Sequence, residues 1–280
     1  MTSATGPVLS GAVVLTPEEF AWITTFLRRL TGIELKEGKQ TLVMSRLDRR
    51  LRIYEMDSYT EYFQLIAGLE SPEETQIAID LLTTNETYFF RETEHFNLLP
   101  TLIPTPEQAR GRPIRIWSAA SSSGEEAYTI ALTLAGCMQD RLWEVVGSDI
   151  SSRVLVTARR CLYPIEAAEK IPVKARQAFC LKGRDEHEGL FTLRSELRSR
   201  VTFVQANLLK PLPQLGTFDV VFLRNVMIYF SQDTKAALLQ RVEELIRPGG
   251  HLLIGHAESL HGLDNQLEQV TPSVYRKPAD

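Results

Sequence analysis

Cysteine is scarce in this sequence: Cys137, Cys161 and Cys180 are its only three, far apart and without C-x-x-C spacing. An odd, scattered set builds neither a disulfide framework nor a cysteine-based zinc site, so small buried thiols in a reducing compartment and no metal are expected. Long apolar runs are missing too. No stretch approaches the ~20 apolar residues that span a bilayer, and residues 1–15 show no basic region ahead of their short apolar run. Neither membrane insertion nor a secretory leader is expected, and the chain reads as cytoplasmic. No G-x-G-x-x-G and no P-loop lysine motif occurs, which argues against a dinucleotide fingerprint and a phosphate cradle. What remains is ordinary for a globular protein: 280 residues with 44% hydrophobic and 24% charged side chains, enough for one large domain or a large and a small one.

The charge is unevenly spread. Residues 28–52 hold eight Lys/Arg against three acids, a +5 segment in a chain of net −4, which hints at an acidic partner surface. Residues 1–15 are unpatterned and read as a flexible tail. Thr16-Pro17-Glu18-Glu19, Ser58-Tyr59-Thr60-Glu61 and Ser71-Pro72-Glu73-Glu74 each place a hydroxyl at N-cap and Glu at N3, predicting three helix starts. Phe20, Ile23, Leu27 and Leu30 recur at helical spacing up to Gly32. Val43, Leu47 and Leu51 mark a second helix over residues 36–55, with Arg46, Arg49 and Arg50 on another face. Residues 16–84 therefore read as a small all-helical domain. Residues 85–113 read as a linker, because Pro100, Pro104, Pro106, Gly111 and Pro113 punctuate its second half.

From residue 114 the pattern changes. Residues 114–117, 145–146, 220–223 and 251–255 are short apolar runs, most followed by a small or polar cluster and a helical pattern. That alternation predicts an α/β domain over 114–280, a parallel sheet with helices on both faces. Residues 189–193 and 201–205 break the rhythm and predict a small antiparallel β-subdomain at about 183–206, and 273–276 reads as a last strand.

In open α/β sheets ligands bind beyond the carboxyl ends of the strands. After the first strand, Ser118-Ala119-Ala120-Ser121-Ser122-Ser123-Gly124-Glu125-Glu126 offers close backbone approach and two carboxylates. These suit an ammonium or sulfonium and repel phosphate, though either glutamate also suits the positive end of a helix. Asp149 can take two ribose hydroxyls or cap the next helix. Asn207-Leu208 can flank an adenine or form a turn, and Arg224-Asn225 ends the 220–223 strand. Taken together these positions favour a nucleoside with a cationic tail; S-adenosylmethionine (SAM) fits and NAD does not.

Thr83-Thr84-Asn85-Glu86-Thr87-Tyr88-Phe89-Phe90-Arg91-Glu92 resembles the signature of the chemotaxis receptor glutamate methyltransferase (CheR) family. So do Trp117-Ser118-Ala119-Ala120, the Ser-Gly-Glu-Glu run, Ser148-Asp149-Ile150, Arg224-Asn225-Val226-Met227-Ile228-Tyr229-Phe230 and Gly255-His256-Ala257-Glu258. The resemblance runs from about residue 16 to the C-terminus. It implies a helical domain followed by a Rossmann-like class I SAM-dependent methyltransferase sheet with a small β-subdomain. It also implies methyl transfer from SAM to receptor glutamates, giving glutamyl methyl ester and S-adenosylhomocysteine. Asn85, Thr87 and Arg91 would contact the cofactor or line the reaction centre, and Glu126, or Glu125 within the pair, would bind the methionine end. Asp149 would hold the ribose, Asn207 and Leu208 flank the adenine, and Arg224 and Asn225 close the pocket. Tyr229 would stand beside the transferable methyl and act with Arg91. Without the resemblance, Arg91 reads more readily as a surface arginine and Tyr229 as a packed helix-entry residue.

The partners expected are the acidic methylation helices of chemotaxis receptors, docked through the helix bearing Arg46, Arg49 and Arg50. No nucleic acid is expected, and a monomer is the default. One departure bears on tethering. Where family members that hold a receptor's C-terminal pentapeptide carry a Gly-x-Gly-Pro turn, this chain reads Lys182-Gly183-Arg184-Asp185-Glu186-His187-Glu188-Gly189, so methylation without a tether is expected. The competing readings are a SAM enzyme acting on a small molecule or another protein, and a SAM-occupied adaptor.

Overall fold

Thr16 starts the first helix as its motif requires. A computed structural model describes residues 13–68, 71–138 and 141–279, and these form two compact units, Met1–Thr83 and Thr84–Asp280. Residues 1–12 of the expected tail lie outside the described residues, whereas Leu15 is already part of the first core.

Among the described residues the first unit holds four helices, α1 (Pro17–Thr31), α2 (Gln40–Ile53), α3 (Tyr59–Ala67) and α4 (Pro72–Leu82). At Thr16 the full capping box forms: its hydroxyl accepts from the Glu19 amide, and the Glu19 carboxylate accepts from the Thr16 amide. The other Glu19 oxygen takes the Thr60 amide and hydroxyl at 2.7 and 2.9 Å, tying the start of α1 to the start of α3. Ser58 caps α3 by accepting from the Glu61 amide. Ser71 makes no side-chain cap bond, so the third motif contributes only its proline at the first helical position. Ile23, Leu27, Val43, Leu47, Leu51, Tyr62 and Phe63 interlock as the core. Glu74 is buried among them because Arg50, Tyr54 and Tyr62 all donate to its carboxylate. Arg46 donates to the carbonyls of Leu82 and Thr83, satisfying acceptors left open at the end of α4. Two arginines of the basic face thus hold the unit together, while Arg49 is exposed.

The second unit begins with α5 (Thr93–Leu102) and α6 (Pro106–Ala109), two helices within the stretch whose prolines read as a connector. Pro100 sits inside α5, and Phe96, Leu99 and Leu102 join the core beneath the sheet, so apolar burial outweighs the proline's poor propensity. Then follow β1 (Ile114–Ser118), α7 (Glu125–Cys137), β2 (Trp143–Asp149), α8 (Ser152–Arg160), β3 (Leu162–Pro164), α9 (Val173–Phe179), β4 (Cys180–Lys182) and β5 (Leu190–Leu193). The chain ends with α10 (Ser195–Arg198), β6 (Val201–Gln205), β7 (Phe218–Leu223), α11 (Gln232–Leu245), β8 (Ile246–Ile254), β9 (Glu268–Thr271) and β10 (Val274–Arg276). The seven-stranded sheet runs β6-β2-β1-β7-β8-β10-β9, with β6 to β8 parallel and β10 antiparallel to both neighbours. This is the expected α/β class, and strand order reverses between β1 and β7.

The small antiparallel sheet is present but differently composed. It is β3-β5-β4, so it spans residues 162–193 rather than 183–206. Val201–Gln205 instead pairs in parallel with β2, from Val145↔Val201 to Asp149↔Gln205, as an edge strand of the main sheet. A five-residue strand carries no local mark of which sheet it joins, and the true partners of β5 are three residues each, too short for any periodic signal.

Candidate functional site

Five parallel strands bring their carboxyl ends to one edge of the sheet, and the loops that follow them meet there: 119–124, 150–151, 206–209, 224–229 and 255–258. Two of these loops, and the segment ahead of α5, hold residues in a strained backbone conformation. Ser122 and Asn225, with Phe90 and Glu92 ahead of α5, hold φ at 48°, 57°, 57° and 55°, a left-handed region that residues with a Cβ seldom occupy. Gly124 turns the β1 loop into α7 at φ 97°, where a Cβ would stand 2.9 Å from Ala158 Cβ and 3.0 Å from the Tyr163 hydroxyl.

Asp149 ends β2 nearly buried. Its carboxylate accepts from the amides of Ser122 and Ser151, each at 2.9 Å, which locks the β1 loop to the end of β2. Ser122 Oγ in turn donates to the Asn85 carbonyl at 2.9 Å, fastening the 85–92 segment to the same loop. The glutamate pair divides. Glu126 accepts from Ser118 Oγ and from Arg224 Nη1, both at 2.8 Å. Glu125 accepts from Ser123 Oγ at 2.7 Å and, among the described residues, meets no cation. Burial pushes its carboxyl above the ordinary range.

Arg224, with a side chain 1% exposed, is the hub. Beyond Glu126 it donates to Glu92 Oε2 at 2.9 Å and to the Arg91 carbonyl at 2.6 Å, and its guanidinium lies 5.3 Å from the Phe96 ring centroid. Glu92 also takes Asn225 Nδ2 at 3.1 Å and the His256 amide at 3.2 Å. Burial acts to raise the Glu92 carboxyl, but the hydrogen bond and charge of Arg224, helped by Asn225 and the His256 amide, hold it down to about 2. Glu258 shapes the neighbouring loops by accepting from the amides of Gly255, Asn225 and Ile228 at 2.7, 2.8 and 3.3 Å.

The remaining expected residues lie around this frame. Arg91 donates to the Glu86 carbonyl at 2.7 Å and stands 5.9 Å from the Tyr88 ring. Tyr229 ends the short 3-10 turn Met227–Tyr229, and among the described residues its hydroxyl and that of Thr87 have no hydrogen-bond partner. Asn207 Oδ1 accepts from the Leu209 amide at 3.0 Å, so its side chain does form a turn, and Leu208 is buried. Sequence reasoning assigned no role to Glu92 or Glu258. Both stand inside recognised motifs, but their partners are up to 164 residues away along the chain.

Comparison with known proteins agrees with this architecture. Residues 85–276 match a family model described as CheR methyltransferase, SAM binding domain, and residues 18–83 match CheR methyltransferase, all-alpha domain. The chain is 42% identical over 278 residues to chemotaxis protein methyltransferase 2 of Pseudomonas aeruginosa, covering 98% of each. It is 38% identical over 274 residues to the chemotaxis protein methyltransferase of Escherichia coli, covering 96% of this chain and 93% of that one. The Salmonella typhimurium enzyme is 37% identical over 273 residues, again with 96% and 93% covered.

Proposed function

This chain belongs to the CheR methyltransferase family and is a SAM-dependent methyltransferase, and on that premise we propose that it methylates glutamate side chains of chemotaxis receptors, yielding glutamyl methyl ester and S-adenosylhomocysteine. The observation that carries the assignment of the site is Glu125: a half-buried carboxylate at the start of α7 that faces no cation among the described residues. That donor set fits SAM, whose ammonium and sulfonium supply the missing positive charge. Glu125 therefore takes the methionine end, and Glu126, already neutralised by Arg224, positions that arginine instead. Asp149, at the carboxyl end of β2, holds the ribose; Asn207 and Leu208 flank the adenine. Asn85, Thr87, Arg224 and Asn225 line the remaining sides.

When bound, SAM supplies a methyl carbon made electrophilic by its sulfonium. A substrate glutamate has an ordinary pKa of about 4.3 and is already a carboxylate at neutral pH, so no residue has to remove a proton. What the chain contributes is orientation. The Arg91 guanidinium and the Tyr229 hydroxyl grip the non-attacking oxygen and aim the other, at a near-attack distance of roughly 3–3.5 Å. Incubation of the protein with methyl-labelled SAM and receptor cytoplasmic fragments should produce base-labile methyl ester; label that resists base would overturn the assignment to glutamate.

Glu125→Gln should weaken SAM binding by about 10-fold or more, because it deletes the charge that the sulfonium nucleoside neutralises, while Glu126→Gln should act mainly on stability. Calorimetry on the two variants checks this. Because burial raises the Glu125 carboxyl, wild-type affinity should decline on acidification before an ordinary carboxylate would titrate, and the Gln variant should lose that decline.

For docking, α2 presents Arg49 and Arg52 to solvent, whereas Arg46 and Arg50 are engaged with α4. We assign recognition of acidic receptor helices to the exposed pair. Arg49→Glu combined with Arg52→Glu should slow association with receptor fragments by about 10-fold at low salt and leave SAM affinity unchanged. Methylation without a pentapeptide tether remains our reading of residues 182–189; heat released on titrating the pentapeptide would refute it. No helix among the described residues is long and apolar enough to cross a membrane, and we take the enzyme to act as a monomer in the cytoplasm.

A further inference from the structure

We propose that Glu92, His95 and His256 form a binding site for a divalent transition-metal ion of the zinc class. One ligand atom from each lies within 4.8 Å of the others. Glu92 Oε2 stands 3.6 Å from His95 Nδ1 and 3.9 Å from His256 Nε2. Ligands held at about 2.0–2.2 Å around a tetrahedral ion are separated by about 3.3 Å. Those two gaps close with shifts of a few tenths of an ångström, and the two imidazoles, no more than 4.8 Å apart, draw together as they turn toward the ion.

An independent observation points the same way. The His95 side chain is 3% exposed, and neither of its ring nitrogens has a hydrogen-bond partner among the described residues. A buried imidazole has given up water at both nitrogens and ordinarily recovers the loss through a hydrogen bond. Here nothing on the protein side answers Nδ1, which faces the Glu92 carboxylate. An ion between them satisfies both groups at once.

The supporting geometry is that of a built site. Glu92, the left-handed residue that precedes α5, and His95, in the first turn of that helix, are three residues apart, and the turn brings their side chains together. His256 enters from the loop after β8, its ring 4.9 Å from that of His95 and edge-on to it. Asn225 Nδ2 and the His256 amide orient the Glu92 carboxylate from outside, as second partners of metal-binding carboxylates do. The His256 side chain is 49% exposed, so an ion can enter from solvent and keep water in its fourth position. Two imidazoles and one carboxylate suit zinc and its neighbours better than magnesium or calcium, which prefer all-oxygen shells.

Arg224 shares Glu92 Oε2 and is the natural objection. Its charge is already matched by Glu126, so the set of two glutamates and one arginine keeps a net negative charge for the ion. The ion would join the 85–92 segment, including the neighbour of Arg91, to the loop beyond β8. It would serve as a clasp, since SAM chemistry needs no metal.

The test uses metal-free full-length protein. Zinc chloride titrated by calorimetry should bind one ion per chain with a Kd of about 1 µM or tighter. Cobalt chloride should give the intense visible bands of a four- or five-coordinate nitrogen–oxygen site. His256→Ala, at a half-exposed position that folding tolerates, should weaken zinc binding by at least about 100-fold, beyond the loss an outer-sphere change brings. His261→Ala, an exposed histidine outside the cluster, should leave binding as it is. Absence of one-to-one binding, a six-coordinate cobalt spectrum, or full zinc affinity in the His256 variant would each overturn the site.

Discussion

Replacing Tyr229 by Phe should lower kcat by about 100-fold while the Kd for SAM stays within about twofold. The hydroxyl has no partner among the described residues, so removing it breaks no internal contact and leaves no buried group orphaned. The Phe ring keeps the packing of the 227–229 turn. What disappears is one of two donors that aim the substrate carboxylate, an interaction that matters only when the carboxylate and methyl are in line. Arg91→Lys should behave similarly, because it retains the charge but not the rigid planar guanidinium that fixes the direction of its hydrogen bond to the non-attacking oxygen. Single-turnover measurements with methyl-labelled SAM and receptor fragments separate the methyl-transfer step from product release. Normal turnover in the Phe variant would remove Tyr229 from the mechanism.

The largest loss of stability is expected from Arg224→Met, about 3–5 kcal/mol. The methionine fills much of the same space but leaves Glu92 and Glu126 with no countercharge, and it frees the Arg91 carbonyl. Urea denaturation at neutral pH measures the loss. Its pH dependence adds a second check. In the wild type, Glu92 has a carboxyl held at about 2 against an ordinary 4.5. Its contribution is therefore fully present above pH 4.5 and is lost as the pH falls toward 2. The variant has no such contribution to lose, so the gap between the two proteins should narrow over that window. A gap that widens on acidification would show that Arg224 is not what stabilises the carboxylate.

The same hub shows why parts of the site could be read along the chain and parts could not. Glu125 and Glu126 are adjacent and chemically identical, and helix-start logic suits both. Arg224, 98 residues from Glu126, distinguishes them by pairing with one. The basic face of α2 is similar: Arg46, Arg49 and Arg50 look equivalent in sequence, yet Arg50 belongs to Glu74 and Arg46 to the end of α4. The metal-ligand cluster escaped for a related reason. Glu92 and His95 are close in sequence, but His256 joins them only through the fold, 161 residues beyond His95.

By itself the sequence determined the α/β class, the helical unit before it, the Thr16 and Gly32 boundaries of α1, and the small and polar loops that follow the parallel strands. Those signals are short-range: a hydroxyl meets an amide three residues on, a glycine accepts a left-handed turn, and an apolar run ends in small polar residues. Only the tertiary structure decided that β6 joins the main sheet, that α5 forms despite Pro100, which glutamate lacks a cation among the described residues, and that the buried His95 ring has no hydrogen-bond partner among them. Each of these depends on which distant segment supplies the opposing charge, hydrogen bond or apolar surface, and no local pattern encodes that pairing.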